Sequence, residues 1–166
     1  MRVDFYRCFD GRLCGWTATP PHRRPFQGST MAAGRDLPHD LTQFTIERAL
    51  GIRDGFWGLL AHGGSFASVP GRRMTKPGRA IVRAHYAALV AVEGVVNGHY
   101  LAWKRGASTP LKPVLDAMYA RWLALREGEL LTLEWPVHPM PGQVGRRRSH
   151  RVGRRVKSRP HSHAAV

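Results

Sequence analysis

Residues 130–136 read Leu130-Leu131-Thr132-Leu133-Glu134-Trp135-Pro136, and this stretch decides the fold. Leu131, Leu133 and Trp135 alternate with Thr132 and Glu134, the period of a half-buried strand. Pro136 stops it, because its nitrogen has no proton to give to a ladder. Such a strand must pair. The only other strand signals lie at the far end of the chain, in Arg2 to Thr19. There Val3 and Phe5 alternate with Asp4 and Tyr6, Asp10-Gly11 supplies a hairpin turn, and Leu13 to Thr19 returns. The segment from His22 to Arg35, after Pro20 and Pro21, reads as a loop or a frayed third strand.

Helical signals fill the space between. A helix is expected from about Pro38 to Leu50, capped by Asp36 and ended by Gly51. A short one is expected from Gly55 to His62 with Asp54 as its cap. A long one is expected from Arg79 to Lys104, where Ile81, His85, Ala88, Val92, Val95, His99 and Trp103 fall at steps of three or four. The clearest is opened by Thr109 and Pro110 and closed by Gly128, with an apolar stripe of Leu111, Val114, Leu115, Met118, Trp122 and Leu125. The expected architecture is therefore α+β, a small antiparallel sheet of the N-terminal hairpin plus the C-terminal strand, with about four helices packed on it. Residues 1–136 form the domain. Residues 137–166 are expected to be a Pro-rich linker, "PVHPMPGQ", and a disordered Arg-rich tail.

Charge follows the same division. The chain of 166 residues has 26 Lys and Arg against 11 Asp and Glu, a net +15. From Gln143 onward there are eight cations, Arg146, Arg147, Arg148, Arg151, Arg154, Arg155, Lys157 and Arg159, and no acid. The domain itself is thus at +7, from 18 cations and 11 acids. This balance points to polyanionic partners, nucleic acid above all. Arg outnumbers Lys by 22 to 4. That excess suits phosphate, which the guanidinium fork grips at two oxygens, but it extends along the whole chain as GC-rich coding would also produce. The tail has no aromatic residue on which bases could stack, so base-selective single-strand binding is not expected. A solubilising extension is the alternative.

Cys8 and Cys14 are the only cysteines. A two-residue turn at Asp10-Gly11 sets Cys8 opposite Leu13 and turns Cys14 to the other face, so a disulfide between them is geometrically poor. With no signal peptide pattern and no uninterrupted apolar run, the expectation is a reduced, cytoplasmic protein with no membrane span.

The helix over residues 38–50 carries the chemistry candidates. His39, Gln43 and Glu47 recur every fourth residue and share a face with Asp40. Zinc hydrolases place two His at that spacing beside an acidic residue, but here the second position is Gln43, a poor zinc ligand. A complete centre would need His62, His85 or His99 from elsewhere. The plainest reading is a hydrophilic strip facing water, opposite Leu41, Phe44, Thr45 and Ala49. A helix-turn-helix built on Gly51 is a third reading. Glu47 falls where its helices touch, and Arg53, Asp54, Gly55 and Gly58 offer little to a base edge. His85 and His99, on an apolar stripe, read as packed residues rather than ligands. No metal or cofactor is expected, and no phosphate loop, nucleophile elbow or Cys-x-x-Cys pair occurs.

The stretch "LPHDLTQFTIERALGIRDGFWGLLAHGGSF", residues 37–66, resembles the signature of a family of small bacterial proteins seen chiefly in actinobacteria. Its pattern runs L-P-H-D-L-x-H, an aromatic residue, a Glu and then L-G-x-x-x-G-F-W-G. Members begin with a strand like "MRVDFYR" and end near "LTLEWP". The resemblance covers residues 1–136 and implies a fold unit rather than an activity. His39, Asp40 and Glu47 match the family's polar positions, and Gln43 replaces its second His.

The leading expectation is a non-enzymatic cytoplasmic protein binding nucleic acid or another polyanion without sequence preference through its tail. The alternative is a degenerate metal-dependent, hydrolase-like or ligand-binding site at His39, Asp40 and Glu47. A further possibility is a protein-docking patch near Phe56 and Trp57.

Overall fold

Strand β5 (Leu130–Glu134) lies antiparallel to β1 (Arg2–Cys8), which lies antiparallel to β2 (Leu13–Thr19). The computed structural model describes residues 1–33 and 35–136. The linker and tail expected over 137–166 lie outside the described residues. Two short strands, β3 (Phe26–Gln27) and β4 (Met31–Ala32), pair with the free edge of β2 and complete a five-stranded sheet in the order β3-β2-β1-β5. The hairpin register is the expected one, with Cys8 opposite Leu13 and Arg7 opposite Cys14. Phe9, Asp10 and Gly11 all take positive φ to make the turn. Both thiols are free, and burial pushes the Cys14 thiol up to about 12, which keeps it protonated and inert.

Alternation puts one face of this sheet inside. Val3 and Phe5 stand beside Ala18 and Trp16 on one flank and Leu133 and Leu131 on the other, and all six are buried. The described residues form five helices, α1 (His39–Ala49), α2 (Phe56–Ala61), α3 (Lys76–Ala84), α4 (Tyr86–Lys104) and α5 (Lys112–Ala124), and Phe44 of α1 and Trp57 of α2 pack on Phe5 of that face. The fold is α+β as the strand pattern required. Aromatic rings form the centre. Trp57 meets Phe5, Trp16, Phe44 and Phe56 edge to face, with ring centroids 4.9 to 5.6 Å apart. Its neighbour Gly58 is obligatory, because a Cβ there would collide with the Arg53 carbonyl.

Several local expectations change. The single long helix over 79–104 is two helices, α3 and α4, bent by 65° at His85. No Gly or Pro marks the break. It follows from two separate anchorages: Gly78 seats α3 against Ser65, and Val96, buried, seats α4 on the core. Asp36 does not cap α1, whose first turn has no side-chain cap, but reaches Lys104 at 3.1 Å. Asp54 does not cap α2 either; its carboxylate lies 3.4 Å from His85 Nδ1. Thr109 stops short of α5 and accepts from Leu111 N–H. In the α5 stripe, Leu111, Leu115, Met118 and Trp122 are buried while Val114 is exposed. Arg7, from the inner face of β1, stacks on the Trp122 ring and donates to the Trp122 carbonyl at 2.9 Å, tying the sheet to the end of α5.

No single helix among the described residues is long and apolar enough to cross a membrane; α3 and α4 reach that length together only across their bend.

Candidate functional site

The polar strip of α1 does not face water. Leu41 through Glu47 are all buried, with Gln43 2% and Glu47 0% exposed; of the strip, Asp40 is partly exposed and His39 at the helix start projects outward. The helix packs against α2, α4 and α5, and Phe44 meets Phe5 of the sheet. Each polar residue therefore holds a partner, because an unpaired polar group at such depth costs several kcal/mol.

Asp40 joins three elements. Its Oδ2 accepts from the Trp16 indole N–H at 2.6 Å, and its backbone carbonyl accepts from the Trp57 indole N–H at 3.1 Å. Its Oδ1 lies 3.3 Å from His39 Nδ1, and this contact raises the affinity of the imidazole for a proton. Gln43 donates its amide to Glu93 on α4. Glu47 accepts the backbone N–H groups of Phe56 and Trp57 at 2.9 and 3.1 Å, capping α2 from another helix. Burial pushes the Glu47 carboxyl up to about 8, although those N–H groups and Gln43 favour the anion and only the charge of Glu93 adds to the rise.

Thus His39 and Asp40 stand together and Glu47 stands apart. Glu47 lines a small cavity of about 80 Å³ with Arg48, Arg53 and His62, whereas His39 lines a cleft of about 560 Å³ between the start of α1 and α4. Among the described residues, no three His, Cys, Asp or Glu side chains are placed to hold a metal ion. His85 sits half-buried at the α3–α4 bend beside Asp54, and His99, also half-buried, contacts the Thr109 hydroxyl at 2.9 Å. The helix-turn-helix reading loses its reading helix, since four of the six residues of α2 are buried. The docking patch is corrected too: Trp57 is fully buried and Phe56 packs against the core.

The large cleft is lined by apolar Leu37 and Val96 and by polar Arg12, Arg35, Asp36, His39 and Asn97. A separate cleft, about 270 Å³, shares no lining residue with it and is strongly basic. Arg23 and Arg24 enter it from the β2–β3 loop, Arg72 and Arg73 from the α2–α3 loop, and Ser65 and Thr75 add hydroxyls. Residue spacing gave no sign of this site, because its arginines come from two loops about fifty residues apart.

No family model, curated protein or solved structure matches the chain.

Proposed function

We propose that this chain is a non-enzymatic, cytoplasmic binder of nucleic acid or another polyanion, acting without sequence preference through Arg146, Arg147, Arg148, Arg151, Arg154, Arg155, Lys157 and Arg159. The observation that carries this reading is the run of eight cations without an acid after Gln143, attached to a domain that is itself at +7. Each phosphate neutralised by a tail cation releases condensed counterions, which makes the binding strong at low salt and steeply salt-dependent. The free thiols suit a reducing compartment. The domain over residues 1–136 is then the family's fold unit, and it carries the tail.

Fluorescence anisotropy with duplex DNA tests this on the full chain and on a variant with all eight tail cations changed to Gln. The unsubstituted chain loses affinity with salt at a log–log slope no steeper than about −7, and the neutralised tail weakens binding by about tenfold or more at low salt. Equal affinity of the two chains rejects the reading.

A second reading is favoured by the cleft beside His39, whose volume of about 560 Å³ and mixed lining suit a small organic acid. Asp40 favours the imidazolium form of His39, which together with Arg12 and Arg35 would receive a carboxylate. Benzoate and hexanoate are the probes. Either acid raises the melting temperature of the protein, and His39→Ala reduces that rise; no rise with either acid removes this reading.

A further inference from the structure

One wall of the basic cleft is built before any ligand arrives. The α2–α3 loop that carries Arg72 and Arg73 is tied to β3 and the segment after it, with Gly71 N–H donating to the Gln27 carbonyl at 3.2 Å and the Ser29 hydroxyl to the Ser68 carbonyl at 3.1 Å. Arg72 is fixed in place. One end of its guanidinium donates to the Leu60 carbonyl at 2.8 Å, and its flat face lies 4.7 Å from the centre of the Phe26 ring. The other end points toward Arg23. Arg72 Nη2 and Arg23 Nη1 both come within 4 Å of one point beside Gly63, at 3.9 and 3.8 Å from where a Cβ would stand. The Ser65 and Thr75 hydroxyls, 3.5 Å apart, line the same cleft.

No carboxylate balances this charge. Among the described residues, Arg23, Arg24, Arg72 and Arg73 take part in no ion pair. Burial and the neighbouring Arg23 charge both disfavour the proton on Arg72. An anion between the anchored Arg72 guanidinium and the nearby Arg23 guanidinium offsets their mutual repulsion. The donors approach from several directions, from two loops and two hydroxyls. A tetrahedral oxyanion uses all of them, whereas a flat carboxylate uses one fork.

We propose that this cleft binds a phosphoryl group, with Arg23 and Arg72 gripping its oxygens, Ser65 and Thr75 donating to it, and Arg24 and Arg73 at the rim. The inference rests on the polyanion reading only in sharing phosphate as the ligand chemistry; the site is separate from the tail. The phosphoryl group belongs either to a small phosphomonoester or to the 5′ end of a nucleic-acid strand.

The test is thermal melting of the full chain in inorganic phosphate, with acetate at matched ionic strength as the control for screening. Phosphate raises the melting temperature and acetate does not. Arg23→Ala and Arg72→Lys each weaken the phosphate response by about tenfold or more, the second because lysine keeps the charge but loses the fork and the stacking. Arg23 is exposed and makes no described contact with the core, so Arg23→Ala tests the site without disturbing the fold. The variant with the eight tail cations changed to Gln keeps the phosphate response, so failure of the tail experiment and failure of this one are told apart. Tighter binding of a 5′-phosphorylated oligonucleotide than of its 5′-hydroxyl counterpart, lost in Arg23→Ala, assigns the site to a strand end; equal binding of the two, with the phosphate response intact, assigns it to a small phosphomonoester. No phosphate-specific rise in the unsubstituted chain, or an equal rise in both arginine variants, overturns the proposal.

Discussion

Glu47→Ala lowers the unfolding free energy by about 3 kcal/mol, from the unpaired buried N–H groups it leaves and the space it opens. Among the described residues the Glu47 carboxyl is the side-chain cap of α2, and the Trp57 N–H it receives is buried. The same residue imposes a pH dependence whose sign follows from burial. In the folded chain Glu47 keeps its proton up to about 8, while in the unfolded chain it releases it near 4.5. Between those values the folded state binds more protons, so stability falls as pH rises across the window and stays at its lower level above it. The loss is on the order of a few kcal/mol, because the two N–H donors and Gln43 offset part of the burial penalty. Glu47→Gln keeps an acceptor for one N–H and cannot ionise. Its stability profile is flatter over pH 4.5 to 8, and it equals or exceeds the unsubstituted chain on the alkaline side. Urea denaturation at several pH values measures all three chains. Identical pH profiles for Glu47→Gln and the unsubstituted chain would show that Glu47 does not titrate in that window.

Trp57→Ala is the more damaging substitution, with an expected loss of about 4 kcal/mol. The side chain is fully buried, meets four aromatic rings and donates its indole N–H to the Asp40 carbonyl. Against a total stability of about 5–15 kcal/mol for a domain of this size, the loss removes a large fraction of the margin. Trp57→Phe retains most ring contacts and gives up the hydrogen bond, at a cost of about 1–2 kcal/mol. Chemical denaturation followed by circular dichroism gives both values. A Trp57→Ala chain within 1 kcal/mol of the parent would mean that the aromatic cluster is not the centre of the core.

These two residues also mark where the sequence could and could not be read. The sheet was legible at both ends of the chain because a strand with one buried face must alternate, and Val3, Phe5, Leu131 and Leu133 do so. The helix over residues 39–49 was legible as a helix but not as to its environment. Periodicity identifies an apolar side, and it assigns the other side to solvent by default. Here α4 meets Gln43 and the start of α2 meets Glu47, so both become interior residues with interior partners. Trp57 was misread for the related reason that an aromatic residue beside two glycines carries no local record of the sheet that will receive it. The bend at His85 was invisible because it comes from where α3 and α4 are anchored, not from a residue that breaks helices.

By itself the amino-acid sequence determined the α+β class, the pairing of a C-terminal strand with an N-terminal hairpin and the concentration of cations after Gln143, since alternation, turn chemistry and charge are local properties written along the chain. Only the tertiary structure decided that the His39–Glu47 strip is divided between a surface cleft and a helix cap, and that Arg23 and Arg72 converge beside Gly63. Both results depend on which distant segments meet, and burial, pairing and charge repulsion act on that meeting rather than on spacing in the chain.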